Sequence, residues 1–403
     1  MKVKRMIHDH MPEFGEAQQI VLKHIPRLRV KSVPLLEAVG RVLAENIKVT
    51  TDSPPFHQSA MDGYAFNFKR WDKVSPLRII DEIPAGKVSK KLLKANDVVR
   101  VFTGSAVPAT ADTVVVQENV IKDGAFIHLN DPFLQQGANI RKKGSQIKAG
   151  NIACRKGEVL SVGAISYLAS LGERKVKIFA PPGVSILVTG SELSQPGNRL
   201  PPGHVFECNS FGLSAALGKI QIVPALIVHC KDKETDLVKA IRKSLKVSDI
   251  LILTGGVSVG DYDFVAASLE KCGVKKKFHK VRQKPGKPLY FGVNGEKLIF
   301  GLPGNPAAVL SCYYTFVLRA ISAMMKVPYT HTVLLPAMNS YSKKGTLTNI
   351  LKARTAARGV EILDHQESYK LNAMVVADSL VILPPDKQDV KPGDMLEVLL
   401  IDN

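Results

Sequence analysis

Residues 251–264 read LILTGGVSVGDYDF. The run Leu251, Ile252, Leu253 is continuously apolar, as in a parallel strand covered on both faces, and this places it inside a domain. Gly255, Gly256 and Gly260 then let the chain turn tightly and bring backbone amides close to a ligand, while Asp261 is placed to cap a helix over DYDFVAASLEKCG. One aspartate suffices for a cap. Asp263 falls in the first helical turn, where it either serves chemistry or simply interacts favourably with the helix dipole. Glycine loops of this kind serve many folds, so the surrounding pattern decides.

That pattern is alternation. Between 181 and 325 the chain runs VSILVTG, a helix near NSFGLSAALGK, IQIVPALIV, a helix KETDLVKAIRKSL, DILILTGG, the helix after Asp261, PLYFGV and KLIFGLP. A last helix opens at Pro306, a favoured first helical position. This predicts an open, mostly parallel α/β sheet whose ligand crevice lies outside the C-terminal ends of its strands. Upstream, EFGEAQQIVLKHI (13–25) has helical spacing at Ala17, Ile20, Val21 and Ile25, and PLLEAVGRVLAENI predicts another short helix closed near a glycine. From about 49 to 146, short apolar runs such as DVVRVF, TVVVQENV and AFIHLN are split by Gly, Pro and Asp, which predicts a β-rich lobe. Helix returns at GAISYLASLG. From 331 onward TVLLPA, SLVILP and DMLEVLLI, with turns at PPD and KPGD, predict a small β domain. The expected fold is therefore multidomain α/β. Residues 1–178 form an N-terminal region, helical over about 1–48 and 147–178 with the β-rich lobe inserted over about 49–146. Residues 179–327 form the central α/β domain and 328–403 the C-terminal β domain.

Of the 403 residues, 45% are hydrophobic and 23% charged, as in an ordinary soluble protein with room for several domains. Five cysteines are scattered without CxxC or Cys/His pairing, which argues against a zinc cluster or a disulfide framework and fits a reducing cytoplasm. The start, MKVKRMIHDHMPEFGEA, has no apolar core of signal-peptide type. The apolar helix after Pro306 is interrupted by Ser311, Thr315 and Arg319, so no membrane segment is expected. A net charge of +19 makes a polyanionic partner a candidate. The basic residues are nevertheless spread along the chain, with no pure run longer than Lys275 to Lys277 and no nucleic-acid motif. A basic surface that attracts an anionic small substrate is more economical than nucleic-acid binding.

The crevice rule collects the chemistry. LVTGSEL delivers Glu192, HCKDKETD delivers Asp232, the third strand delivers Asp261 and Asp263, and later strands lead into KVRQKPGKP and GLPGNP. Carboxylate oxygens suit Mg²⁺, which bridges to substrate phosphates, and Lys280, Lys284 and Lys287 suit a phosphate or oxyanion. Asp232 also reads, with somewhat less weight, as a simple cap of the helix KETDLVKAI. In GLPGNPAAV, Gly304 and Asn305 permit an unusual turn that Pro303 and Pro306 stiffen. The helix beyond it offers amides and a positive dipole end to an anion, or the turn is merely rigid. In PPFHQSAMDGYAF (54–66), Asp62 precedes Gly63 in a turn, where an aspartate ordinarily bonds its own backbone. Thr103 in FTGSAVP and Arg141 in NIRKKG carry the same two readings.

SAMDGYA, FTGSAVPATADTVV, RKKGSQI, LVTGSEL, TGGVSVGDYD, QKPGKP and GLPGNP, in that order over most of the chain, together resemble the MoeA family of molybdopterin molybdotransferases. PLLEAVGRVLAENI and LVILPPDKQDVKPGDMLEV are similar to that family too, whose eukaryotic counterpart is the E domain of gephyrin. The resemblance implies an elongated homodimer, with an α/β domain like the molybdopterin adenylyltransferase and a cleft shared between that domain of one subunit and the MDGYA lobe of the other. It implies a reaction that takes adenylylated molybdopterin and molybdate, with Mg²⁺, to the molybdenum cofactor and AMP. It also implies transient contact with the adenylyltransferase and with recipient molybdoenzymes. On this basis Glu192, Asp232 and Asp263 hold Mg²⁺, and Lys280 and Lys284 neutralise phosphate or molybdate. Asp62 acts from the neighbouring subunit on water or substrate. Thr103, Arg141, Gly255, Gly256, Ser258, Lys287, Pro303, Gly304, Asn305 and Pro306 contact substrate.

The chain departs from the family pattern at three places. Gln146 stands where many relatives have aspartate, Ala308 where many have serine, and Glu207, Cys208 and Asn209 replace Asp-Ser-Asn. Gln146 and Ala308 support an alternative, a degenerate paralogue that binds the pterin or partner proteins without turnover. An adenylyltransferase is disfavoured, because the chain carries the MDGYA lobe and the C-terminal β domain.

Overall fold

The apolar run around Leu251 forms the strand Ile250–Thr254, with all five residues buried. A computed structural model describes residues 11–256 and 264–401. Side chains along a strand alternate between faces, and both faces here are covered. Ile250 and Ile252 join one core with Val184, Ile186 and Val188, whereas Leu251 and Leu253 join a second core with Leu187 and Ile299.

The sheet has six strands in the order Leu226–Cys230, Val184–Thr189, Ile250–Thr254, Lys297–Leu302, Tyr290–Asn294, Lys275–His279. The first four are parallel, and the last two pair antiparallel. The expected strand IQIVPALIV is ordered as strand only from Leu226, beyond Pro224, which has no N–H to give a ladder. After Val184–Thr189 the helix Asn209–Lys219 packs Leu213, Ala216 and Leu217 into the first core. After Leu226–Cys230 and Ile250–Thr254, the helices Glu234–Val247 and Phe264–Lys271 pack into the second. Val184–Thr189 and Ile250–Thr254 are neighbours whose following helices lie on opposite faces. Their C-terminal ends mark the switch point at which an open α/β sheet binds ligands.

The chain divides into two compact units, Lys31–Ile178 and a second that joins residues up to Val30 with Phe179–Asn403. Residues 11–30, grouped by sequence with those up to 178, lie in the unit that holds the α/β sheet. The helix Phe14–Leu22 buries Phe14, Ala17 and Val21 in its first core. The same unit holds the C-terminal sheet, ordered Gln283–Lys284, Thr348–Ala356, Ser379–Leu383, Met395–Leu400, His331–Pro336, with Gly359–Ile362 paired to Thr348–Ala356. Gln283–Lys284 leaves the α/β domain to pair parallel with Thr348–Ala356.

The other unit contains a six-stranded sheet ordered Thr113–Val116, Gly63–Phe66, Asp97–Val101, Leu77–Ile83, Phe126–Leu129, Val120–Asp123. The helix expected over PLLEAVGRVLAENI is only a 3₁₀ turn, Leu35–Ala38. Beyond it Val42 and Leu43 are extended, bridging to Val159 and Ile178, so tertiary pairing overrides helical propensity there.

The polar residues expected to interrupt the apolar helix after Pro306 do not do so. Pro306–Cys312, a π turn over Tyr313–Val317 and Leu318–Met325 form one uninterrupted run of 20 residues, long and apolar enough to cross a membrane. Ser311 and Thr315 do not break it. Their hydroxyls donate to the carbonyls four residues back, at 2.8 and 2.7 Å, so no unsatisfied donor is left. Most of the run is buried in the first core.

Because Ile252 is enclosed on a central strand, Ile252→Ala is expected to destabilise the protein by about 2–5 kcal/mol. Lys276→Ala, on the exposed edge strand, should stay within about 0.5 kcal/mol. Urea unfolding of both variants checks the contrast, and equal losses would contradict the assigned core.

Candidate active site

Three strand ends meet at the switch point because residue 255 is glycine. Its φ is +88°, and a Cβ there would fall 2.0 Å from the Thr189 carbonyl oxygen. Gly256 repeats the constraint, with a Cβ position 2.9 Å from Val265 and 3.8 Å from Asp232 Oδ1. The TGG loop therefore lies directly against the ends of the strands that deliver Thr189 and Asp232.

Asp232 does not cap the helix that follows it. That helix has Lys233 at its N-cap and no side-chain capping bond. The carboxylate points instead to the first strand, where Oδ1 accepts from the Thr189 hydroxyl and Oδ2 from the Ser191 amide at 3.2 Å. Each oxygen keeps a lone pair free for a further partner. Glu192, the next residue but one to Gly190, is exposed at the same strand end. Burial pushes the nearby Cys230 thiol up to about 11, so at neutral pH it stays protonated and is no rival ligand. Glu192 and Asp232 are oxygen donors of the kind Mg²⁺ takes. Among the described residues no three His, Cys, Asp or Glu side chains form a metal group. Asp263, the third carboxylate named from sequence, lies outside the described residues, as do Ser258, Gly260 and Asp261.

The basic side of the crevice is a closed loop. Lys280 N–H donates to Leu289 O and Val281 N–H to Lys287 O, both at 2.9 Å, so Lys280, Lys284 and Lys287 sit on one short excursion. Lys280 itself has φ +94°, a strained conformation for a residue with a side chain, of the kind that collects at functional sites. Gln283 anchors the loop from beneath, donating to Gly286 O at 3.1 Å and to Cys312 Sγ at 3.5 Å. Gly286 packs so closely on the last helix that a Cβ there would fall 2.3 Å from Cys312 Sγ.

The GLPGNP turn is held on two sides. Asn209 Nδ2 reaches Gly304 O at 2.9 Å, and Asn305 Nδ2 reaches Ser368 Oγ at 2.9 Å. The helix start at Pro306 is not fully open to an anion as the sequence suggested, because Ala307 N–H donates to Ser368 O at 3.2 Å. Ser368 lies on a loop of the C-terminal sheet, held by the buried ammonium of Lys352. That group donates to the carbonyls of His365, Glu367 and Lys370 at 2.6, 3.2 and 3.1 Å. Burial holds the Lys352 ammonium below the usual lysine range.

In the other unit, Asp62 is no ordinary turn aspartate. Its Oδ1 accepts from both the amide and the hydroxyl of Thr103, each at 2.7 Å, across 41 residues of chain. Arg141 is exposed beside them on the short pair Ile140–Arg141 with Gln58–Ser59, so MDGYA, FTGSA and NIRKKG gather in one place. Gln146 is exposed, with its backbone amide bonded to Ser53 O at 2.9 Å.

A sequence profile of the MoeA N-terminal region (domain I and II) matches residues 13–172, and one described as "Probable molybdopterin binding domain" matches residues 185–323. The chain belongs to the MoeA family. It is 29% identical over 399 residues to the molybdopterin molybdenumtransferase of Staphylococcus epidermidis, covering 96% of this chain and 95% of that one, and equally identical to that of Staphylococcus aureus. Among solved structures, two of the molybdopterin biosynthesis MoeA protein from Pyrococcus horikoshii superpose with TM-scores of 0.85 and 0.79, at 26% and 28% identity. They cover 98% and 97% of this chain and 100% of theirs. The matched molybdopterin binding region spans the whole crevice described above except Ser368 and Lys352, which lie beyond it.

Sequence reading missed Thr189, Thr254, Lys352 and Ser368. The two threonines carried a signal, since LVTG and LILTG both end a buried strand in Thr-Gly. Lys352 carried none. It lies within six consecutive buried residues of Thr348–Ala356, where alternation fails.

The Thr103 amide, and secondarily its hydroxyl, hold the Asp62 carboxyl below the usual carboxylate range. A depressed folded-state pKa means that this contact stabilises the lobe above the ordinary carboxylate pKa and is lost as pH falls through the lowered value. Thr103→Val removes the hydroxyl bond and should move the Asp62 titration upward, as read by carboxyl ¹³C NMR. Identical titrations in the two proteins would contradict the arrangement.

Proposed function

We propose that this MoeA-family chain is a molybdopterin molybdenumtransferase that acts in molybdenum cofactor synthesis, taking adenylylated molybdopterin and molybdate as substrates and releasing AMP. One observation carries the reading. An oriented carboxylate and the clamped GLPGNP turn lie at the switch point, and a lysine loop follows the edge strand at the same end of a sheet that matches the family's molybdopterin binding region.

Within this proposal Lys280, Lys284 and Lys287 bind the anionic groups of the substrates, and the GLPGNP turn receives an oxyanion. Asp232, oriented by Thr189 and Ser191, faces the phosphoanhydride. Glu192 and Asp232, with Asp263, are the residues that would hold Mg²⁺, which when bound supplies charge neutralisation at the phosphate oxygens. Water attacks phosphorus, the anhydride P–O bond breaks and AMP leaves; at the dithiol two Mo–S bonds form as one molybdate oxygen departs as water with the two thiol protons, molybdenum staying hexavalent. The homodimer is part of the same proposal, with Asp62 acting from a neighbouring copy on water or substrate. Asp62 is exposed, ionised and held in place by Thr103, as such a role requires. Five unpaired cysteines suit a cytoplasmic setting. There an adenylyltransferase would supply the substrate and molybdoenzymes would receive the product.

The degenerate reading loses support. Ala308 is packed inside at 1% exposure, and Ser368 places a hydroxyl at the same turn. Gln146 is exposed, and nothing in the structure explains the change from aspartate there.

Asp62→Asn and Asp232→Asn are each expected to abolish AMP release as homodimers. Co-expressed and purified as a heterodimer, they should recover about half the wild-type rate, because one of two symmetric sites then has both carboxylates. No recovery in a folded heterodimer would contradict the shared site, and full activity in either homodimer would contradict the assigned roles.

A further inference from the structure

Two loops of the crevice come from different crossovers, and one side chain joins them. Asn209 opens the helix Asn209–Lys219. Its Nδ2 lies 2.9 Å from Thr254 Oγ1 and 2.9 Å from Gly304 O. A primary amide has two protons to donate, and both are used. The flipped amide would set Oδ1 against the Gly304 carbonyl, two acceptors facing each other, so that carbonyl fixes the orientation. The fully buried Thr254 hydroxyl, having accepted from Asn209, donates its own proton to Pro303 O at 3.1 Å.

Two successive carbonyls of the GLPGNP turn are thereby tied to one amide and one hydroxyl. The turn also touches the TGG loop, since a Cβ on Gly304 would lie 3.8 Å from Gly255 Cα. Gly255 in turn lies against Thr189, which orients Asp232. A continuous set of contacts therefore runs from Asn209 through the turn and the TGG loop to the carboxylate.

We propose that Asn209, working with Thr254, is a positioning residue that sets the GLPGNP turn against the TGG loop and so fixes the oxyanion-facing turn relative to Asp232. The inference rests on the reading of this crevice as the phosphate and oxyanion site of the transferase. Groups that stabilise developing charge act only if they are already in place, so loosening the turn lowers kcat more than it raises KM.

The test uses the full chain as wild type and as Asn209→Ala, Thr254→Val and Thr254→Ser, the last of which keeps the hydroxyl and controls for folding. Hydrogen–deuterium exchange over residues 302–307 of the unliganded protein should quicken in Asn209→Ala and Thr254→Val and stay near wild type in Thr254→Ser. In AMP release from adenylylated molybdopterin, the first two variants should lose about ten- to a hundredfold in kcat with little change in KM, as for a misplaced catalytic element. The double variant should be no slower than the slower single one, because both remove the same clamp. Unchanged exchange in Asn209→Ala and Thr254→Val overturns the clamp. Quickened exchange with unchanged kcat, or equal losses in Thr254→Ser, overturns its positioning role. If the wild type releases no AMP, the assigned reaction fails while the exchange comparison still decides whether the clamp exists.

Discussion

The crevice depends on one close approach. A side chain at residue 255 would place its Cβ 2.0 Å from the Thr189 carbonyl oxygen, so the ends of the two central strands can meet only over a glycine. From that contact the Thr189 hydroxyl turns Asp232 away from its own helix and across the switch point. The TGG loop meets the GLPGNP turn, and the turn is braced from the far side by Ser368. The chemistry is thus assembled from backbone contacts first and side chains second.

The bracing extends into the C-terminal β domain. The strand Gln283–Lys284 joins that domain's sheet, so the lysine loop is fixed at one end by a foreign ladder and beneath by Cys312. Lys352 is buried beside it with its ammonium shared among three carbonyls, a costly arrangement tolerated only because every proton is placed. A C-terminal sheet that looks like an appendage in sequence therefore shapes the GLPGNP side of the crevice.

Much of this was legible in the residues. Continuous apolar runs gave the parallel strands, and the crevice rule placed Glu192, Asp232 and the lysines at one edge. What failed, failed for physical reasons. PLLEAVGRVLAENI has helical spacing, yet its backbone finds partners in distant extended segments. Ser311 and Thr315 looked like interruptions but satisfy their hydroxyls within the helix. The reach of Asp62 to Thr103 and of Ser368 to Asn305 spans sequence gaps that no local pattern encodes.

The central claim is that this crevice turns over substrate despite Gln146 and Ala308. The most direct measurement is AMP release by the purified wild-type chain from adenylylated molybdopterin with Mg²⁺, compared with and without molybdate. Release that depends on molybdate is the predicted result. Tight binding of the adenylylated pterin with no release under either condition would contradict the account and leave a binding protein in its place.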